Sequence, residues 1–207
     1  MHRTRIKICG LTRIEDVRAA VDAGVDAIGL VFYSSSPRSV DAALAAELAA
    51  AIPPFVTTTG LFVNPDEAYV RAICAQVPLQ LLQFHGDEDE EACARYGLPW
   101  IKAARVRKGC DLLEFQACHA RATGILLDAF VEGYGGGGRT FDWSLIPDEM
   151  DRKRLILSGG LDAANVTEAV RRVRPWAVDV SSGVETAKGI KSAEKIAAFV
   201  AGVRNAD

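Results

Sequence analysis

The sequence has few of the residues that hold metals or form disulfide frameworks. Its 207 residues include three histidines and five cysteines. The cysteines are odd in number and form no CxxC pair, and the histidines show no HExxH or comparable spacing. These patterns argue against a disulfide framework and against a structural zinc site. We therefore expect a reduced, metal-free protein located in the cytoplasm.

Features of membrane and nucleic-acid proteins are also missing. No apolar run approaches the roughly 20 residues that a membrane-spanning helix needs, and the N-terminus leads directly into a predicted strand rather than a signal-peptide core. The formal net charge is −3, so no basic footprint for a nucleic acid is present. With 49% hydrophobic and 25% charged residues, the composition is that of an ordinary globular protein. We expect neither a membrane nor a nucleic acid as a partner.

Strand-like and helix-like segments alternate along the whole chain. The predicted strands cover residues 5–9, 26–32, 55–63, 79–84, 100–105, 124–128, 154–157 and 177–180. The predicted helices cover residues 14–23, 40–51, 65–76, 87–96, 111–122, 142–146, 162–173 and 192–203. Eight βα units with apolar strands, and no nucleotide fingerprint after the first strand, favour a closed barrel over an open doubly wound sheet. The prediction is an α/β fold, with a single (β/α)8 TIM-barrel domain over residues 1–207.

Two glycine-containing turns follow the last two predicted strands. The first has the sequence SGGL at 158–161, and the second has VSSGV at 180–184. In (β/α)8 barrels the loops after strands 7 and 8 frequently bind phosphate. Glycine lets backbone N–H groups approach an anion, and a helix N-terminus adds partial positive charge. One such turn also has a purely structural explanation, whereas two in succession predict a phosphate site.

Candidate catalytic residues are those at the C-terminal ends of the predicted strands, where barrel active sites lie. Cys9 is the only cysteine at such an end, and from position alone a structural role and a role as base or nucleophile are equally open. Asp128 closes an apolar strand, where a carboxylate is uncommon unless it is paired, ligating or catalytic. Its structural alternative is capping of the following loop. Asp179 lies inside the eighth strand and equally fits a buried ion pair.

Three further features leave a functional and a structural interpretation open. The guanidinium of Arg38 suits a carboxylate or a phosphate, although position alone favours an ordinary surface arginine. His85 either contacts a ligand or is a hydrogen-bonded loop histidine. The four glycines at 135–138 form either a mobile lid or a flexible surface connection.

The motifs at the strand ends resemble those of one family, the phosphoribosylanthranilate isomerases. They are KICGLT at 7–12, SPR at 36–38, LFVN at 61–64, QFHG at 83–86, LDA at 127–129, TFDW at 140–143 and the two glycine turns. The resemblance spans the whole chain, with the motifs in order and at ordinary spacing.

The resemblance implies an enzyme of tryptophan biosynthesis that needs no cofactor. Its reaction is the Amadori rearrangement of N-(5′-phosphoribosyl)anthranilate to 1-(2-carboxyphenylamino)-1-deoxy-D-ribulose 5-phosphate. Asp128, protonated near neutral pH, would be the acid that opens the furanose ring, and Cys9, as thiolate, the base that removes the C2′ proton. Arg38 would bind the anthranilate carboxylate, and Asp179 would contact the anthranilate amino group. The other implied substrate-binding residues are His85, Gly159, Gly160, Ser182 and Gly183.

Other functions of the same fold are alternatives. Another phosphosugar isomerase, such as that of the histidine pathway, is disfavoured by Cys9 and by the lack of half-repeat motifs. Indoleglycerol phosphate synthase shares the phosphate site but needs a catalytic lysine set and a longer N-terminus. A non-catalytic phospho-ligand-binding barrel needs neither Cys9 nor Asp128. The expected partner is a small phosphosugar, and the expected assembly is a monomer or a homodimer.

Overall fold

Eight parallel strands close into a barrel in the computed structural model, which describes residues 3–129 and 140–207. The strands are β1 (Arg5–Cys9), β2 (Ala27–Val31), β3 (Thr57–Phe62), β4 (Leu81–Phe84), β5 (Trp100–Val106), β6 (Gly124–Ala129), β7 (Leu155–Leu157) and β8 (Ala177–Val180). Each strand pairs with the next along the chain, and β1 closes the ring by pairing with β8. The predicted TIM barrel is therefore confirmed. That one domain spans all of residues 1–207 stays a prediction.

Seven α-helices surround the barrel in the described part of the chain. They are α1 (Ile14–Asp22), α2 (Ala42–Ala50), α3 (Glu67–Gln76), α4 (Glu90–Ala94), α5 (Leu112–Cys118), α6 (Val166–Val173) and α7 (Ala193–Arg204). Most lie within two or three residues of their predicted bounds, and α7 ends one residue beyond its bound. Among these helices none is long and apolar enough to cross a membrane.

Three predicted helices differ from the structure by more than three residues or in type, and one of them, α5, ends at Cys118 rather than at residue 122. The helix expected at 142–146 is a single 3-10 turn, Trp143–Leu145. Asp142 caps this turn through the Ser144 N–H, and Pro147 follows, where a missing N–H prevents continuation. The helix expected from residue 162 begins at Val166, because the Asp162 carboxylate accepts the next N–H groups in a turn instead.

A small antiparallel hairpin after β8 was not predicted. It consists of β9 (Glu185–Ala187) and β10 (Ile190–Lys191), and it follows a 3-10 turn at Ser182–Val184. Gly189 makes the connection with a φ of 81°, a conformation that favours glycine. Strands of three and two residues are too short to show an alternating pattern in the sequence. The hairpin matters because it supplies two charged residues to the site.

The barrel interior and the layer outside it form separate apolar cores. The larger core lies between the strands and the surrounding helices. Inside the barrel, toward the N-terminal ends of the strands, a second cluster comprises Ile101, Ala103, Leu126, Ile156 and Ala177. These side chains come from inward positions of β5 to β8, because side chains alternate between the two faces of each strand. They form the floor beneath the site.

Candidate active site

A row of polar side chains crosses four neighbouring strands above this floor. Asp128 lies in β6, Ser158 directly follows β7, Asp179 lies in β8 and Lys7 lies in β1. Lys7 and Asp179 are paired in register, and all four residues are between 5% and 9% exposed. Their spacing along each strand places them on the inward face. On the side of the barrel formed by β6, β7, β8 and β1, the interior above the floor is therefore polar and nearly closed to solvent.

The β1 side of this row contains a buried ion pair and a thiol. Lys7 Nζ donates to Asp179 Oδ1 at 2.8 Å, and Ser158 Oγ lies 3.5 Å from the other carboxylate oxygen. Cys9, two residues after Lys7, is 5% exposed and packs against Gly29 of β2. A Cβ added at Gly29 would lie only 2.7 Å from the Cys9 sulfur. Glycine at this position thus leaves room for the thiol.

The charges around Cys9 act on its pKa in opposite directions. Burial raises the pKa of the Cys9 thiol, and the Asp179 carboxylate adds to this effect, while the ammonium groups of Lys7 and Lys191 oppose it. The net result is a raised pKa of Cys9, so the unliganded site disfavours the thiolate. Burial also disfavours the charge of Lys7, but Asp179 and Cys9 outweigh it and raise the pKa of Lys7.

Asp128 forms the centre of a second polar group. His85 Nε2 lies 3.2 Å from Asp128 Oδ2, and the Gln83 amide nitrogen lies 3.3 Å from His85 Nδ1. The other Asp128 oxygen accepts the N–H of Ala129 at 2.9 Å. Gln83 Oε1 is buried and has no hydrogen-bond partner among the described residues. His85 is therefore a hydrogen-bonded partner of Asp128 as well as a residue of the barrel mouth.

Arg38 is held by the hairpin that follows β8. Its Nε and Nη2 donate to the two oxygens of Glu185 at 2.7 and 2.8 Å, and Lys191 Nζ donates to Glu185 Oε1 at 2.8 Å. The hydrogen bonds to Glu185 raise the pKa of Arg38. Burial favours neutral Glu185, but Arg38 and Lys191 outweigh it and hold the pKa of this carboxyl below its ordinary value. Burial lowers the pKa of Lys191.

Arg38 corrects the interpretation that its position in the sequence favoured. It is 8% exposed rather than an ordinary surface arginine. A Cβ added at Gly10, which follows β1, would lie 2.5 Å from Arg38 Cδ and 3.2 Å from Ser181 Oγ. The arginine therefore lies against the loops that follow β1 and β8, at the edge of the mouth that contains Cys9.

The two glycine turns lie against each other and against Asp128. Gly159 and Gly160 have φ values of 82° and 62°. A Cβ added at Gly159 would lie 2.5 Å from the Ala129 nitrogen, and one added at Gly183 would collide with the Leu161 carbonyl. The N–H groups of Gly159 and Gly160 donate to no acceptor among residues 3–129 and 140–207. Ser182 begins the 3-10 turn, and the close approach of Gly183 to Leu161 places the two turns side by side.

A buried carboxylate ties the ends of β3 and β4 to β5. Glu88 accepts the N–H groups of Asn64 and Gly86 at 2.6 and 3.0 Å, and Lys102 Nζ donates to it at 2.9 Å. Lys102 also donates to the Gly86 carbonyl at 2.7 Å. These contacts hold the loop that follows His85.

The structure brings the predicted residues of both catalytic and substrate-binding groups to one end of the barrel. Sequence reasoning missed the charged and amide residues that orient them, namely Lys7, Gln83, Glu88, Lys102, Glu185 and Lys191. One signal was available, because a lysine between apolar residues in a short strand is uncommon unless it is paired. The glycine loop at 135–138 lies outside the described residues. No group of three or more residues in the described ranges could hold a metal ion.

Comparisons with known proteins agree along the whole chain. Residues 6–202 match the family model described as N-(5′-phosphoribosyl)anthranilate (PRA) isomerase. A protein named N-(5′-phosphoribosyl)anthranilate isomerase from Dechloromonas aromatica is 62% identical over 205 residues, which cover 99% of this chain and 98% of that protein.

Solved structures of such isomerases are also similar. The phosphoribosylanthranilate isomerase of Thermotoga maritima is 40% identical with a TM-score of 0.89, over 98% of this chain and 99% of its own. An isomerase in complex with reduced 1-(o-carboxyphenylamino)-1-deoxyribulose 5-phosphate is 37% identical with a TM-score of 0.86, with the same coverage of both chains. This chain belongs to the N-(5′-phosphoribosyl)anthranilate isomerase family.

Proposed function

We propose that this protein isomerises N-(5′-phosphoribosyl)anthranilate to 1-(2-carboxyphenylamino)-1-deoxy-D-ribulose 5-phosphate in tryptophan biosynthesis, with Asp128 as acid and Cys9 as base. The observation that carries the proposal is a buried carboxylate on β6 and a buried thiol on β1, separated around the barrel by β7 and β8. A sugar bound at the mouth would meet the two groups from different sides. The related isomerase with a bound reduced ribulose phosphate supports the same substrate class.

Asp128 opens the ring in this mechanism. It gives a proton to the furanose oxygen as the C1′–O bond breaks and the anilino nitrogen forms a Schiff base with C1′. For this step Asp128 must carry a proton, and His85 is placed to orient it. If His85 carries its proton on Nε2, it donates to Asp128 Oδ2 and its Nδ1 accepts from the Gln83 amide nitrogen. The acidic proton of Asp128 then stays available for the substrate.

Cys9 then removes the C2′ proton, which the Schiff base has made acidic. The proton passes to sulfur, and the electron pair of the C–H bond forms the enolamine, which tautomerises to the ketose. A thiol cannot accept this proton, so the thiolate must form when substrate binds. Binding also holds C2′ close to the sulfur, and this proximity speeds the proton transfer.

The other site residues orient the substrate. Arg38 has its Nε and Nη2 on Glu185, which leaves Nη1 to bind the anthranilate carboxylate. The backbone of Gly159, Gly160, Ser182 and Gly183 binds the phosphate, as expected of N–H groups that converge at a helical turn. Asp179 contacts the anthranilate amino group.

The test is the loss of anthranilate-type fluorescence as freshly generated phosphoribosylanthranilate is consumed. Cys9→Ala and Asp128→Asn should each lower turnover by about 10²- to 10⁴-fold, the usual contribution of one acid or base, while both variants still bind a reduced product analogue. Cys93→Ala is the matched control, because Cys93 is buried in α4 and belongs to the outer core. It should keep the native rate.

The opposite result would identify a different function. A folded native protein that binds the analogue without consuming the substrate would indicate another phosphosugar isomerase or a binding-only barrel. Unchanged turnover in either variant would remove that residue from the mechanism.

Assembly and location extend the proposal. We expect a monomer or a homodimer in the cytoplasm, with a small phosphosugar as ligand. One related crystal structure is described as mutually generated monomers of the dimeric isomerase from Thermotoga maritima. Sedimentation equilibrium of this chain decides between them.

A further inference from the structure

The ammonium of Lys7 lies between two groups that compete for it. On one side it donates to Asp179 of β8 at 2.8 Å. On the other side it reaches the backbone of Gly29 in β2, where an added Cβ would lie 3.1 Å from Lys7 Nζ and 2.7 Å from the Cys9 sulfur. The Cys9 sulfur and the Lys7 ammonium thus both lie next to the backbone of Gly29, which has no side chain. Both side chains of the ion pair are only 6% exposed, so water does not weaken the competition.

We propose that Lys7 is a positioning residue for the isomerisation, whose ammonium is shared between Asp179 and Cys9 and passes to Cys9 as the thiolate forms. This inference rests on the proposed function for the identity of the base. Lys7 keeps its proton throughout and transfers none. Cys9 loses its proton to solvent as the substrate binds, and the thiolate then takes the proton from C2′.

Substrate contact with Asp179 is the trigger in this scheme. In the unliganded protein the Asp179 carboxylate holds Lys7, and the thiol stays protonated. When the anilino N–H of the substrate donates to Asp179, this carboxylate attracts the Lys7 ammonium less strongly. Lys7 then stabilises a negative charge on sulfur, so the base becomes active only in a loaded site.

Other charged groups near Cys9 are already paired. Lys191 of β10 and Arg38 of the loop after β2 both bind Glu185, so that their charges are balanced locally. On β2 the neighbour is Gly29, which has no side chain. Lys7 is therefore the cation whose carboxylate partner, Asp179, can form a hydrogen bond with the substrate instead.

The experiment measures the pH midpoint of Cys9 ionisation by the ultraviolet absorbance of its thiolate. The signal is the difference between each protein and the same protein carrying Cys9→Ser, which removes the contributions of tyrosines and of the other cysteines. Lys7→Met should raise the midpoint by about one pH unit or more, and Asp179→Asn should lower it by a similar amount, as expected of a charge within 4–6 Å. A merely structural role for the pair would not move the two midpoints in opposite directions.

A double variant guards against misfolding, because Lys7→Met alone leaves a buried unpaired carboxylate. Lys7→Met combined with Asp179→Asn has no such group, and its midpoint should lie above that of Asp179→Asn alone. Lys102→Met with Glu88→Gln is the matched control, since it removes another buried lysine–carboxylate pair. That control should leave the midpoint of Cys9 unchanged.

Three results would overturn the inference. The first is an unchanged or raised midpoint in Asp179→Asn, and the second is the same midpoint in that variant and in the double variant. The third is an equal shift on binding the reduced product analogue in the native protein and in Asp179→Asn, which would exclude release of Lys7 by the substrate. These midpoints need no turnover, so an inactive native protein would refute the proposed function without deciding the role of Lys7.

Discussion

The two ends of the barrel interior are built from opposite kinds of side chain on the same strands. Toward the N-terminal end, inward positions hold apolar residues such as Leu126 and Ile156. Two residues further along β6 and β7 the inward positions hold Asp128 and Ser158. On one strand, an apolar position that stabilises the fold and a polar position at the site are therefore only about 7 Å apart. On β6 and β7, the polar residues are thus confined to the last inward position.

The two ends should contribute differently to the free energy of unfolding. Burial of apolar side chains stabilises the fold at about 25 cal/mol per Å². In a buried ion pair such as Lys7–Asp179, the free-energy cost of removing both charges from water roughly cancels their attraction. Within the barrel interior, the N-terminal end therefore adds stability, while the C-terminal end holds reactive groups at little net gain in stability.

The largest expected effect is on stability at the apolar end. Leu126 is fully buried, so Leu126→Ala should lower the free energy of unfolding by about 2–5 kcal/mol through lost burial and a cavity. Urea denaturation measures this change, with Leu113→Ala at an exposed position as the control. Turnover per folded molecule should stay at the native value. A large loss of turnover in the folded variant would mean that the two ends are not separable.

A pair of glycines on inward positions gives the next largest effect. A methyl group at Gly29 would lie 2.7 Å from the Cys9 sulfur, whereas one at Gly124, at the opposite end, would meet Ile156 Cδ1 at 3.1 Å. Gly29→Ala should therefore lower kcat/KM about 100-fold, as expected when a reacting group moves by about 1 Å. Gly124→Ala should leave kcat/KM unchanged. Equal kinetic losses in both variants would contradict the separation of the two ends.

The smallest expected effect is an acid dependence of stability that arises from Glu185 at the polar end. Because Arg38 and Lys191 outweigh burial and hold the pKa of Glu185 below its unfolded value of 4.5, ionised Glu185 favours the folded state. This stabilisation is fully present above pH 4.5 and is lost as the pH falls through the lowered pKa. The urea midpoints of the native protein and of Glu185→Gln should therefore converge as the pH falls from 4.5 through the lowered pKa. A constant difference down to pH 3 would show that Glu185 contributes no such dependence.

The fold could be predicted from the sequence to a larger extent than the site. Alternating apolar segments and glycine or proline stops identified all eight barrel strands, because such signals act over a few residues. They failed at residues 142–146, where a capped turn followed by Pro147 looks like a helix start, and at the short hairpin β9–β10. Cys9 and Asp128 could be identified as candidates by their places at strand ends. Lys7 and Glu185 could not, because their importance depends on partners far away in the chain.

The sequence by itself determined the barrel, the two glycine turns and the placing of a thiol and a carboxylate at strand ends. These features follow from local preferences and from the side-chain alternation of strands. Only the tertiary structure decided which charges meet. Lys7 and Asp179 are 172 residues apart, and Arg38 and Glu185 are 147 residues apart. Closure of the barrel brings the first and last strands together, and the charge balance around Cys9 exists only once that contact has formed.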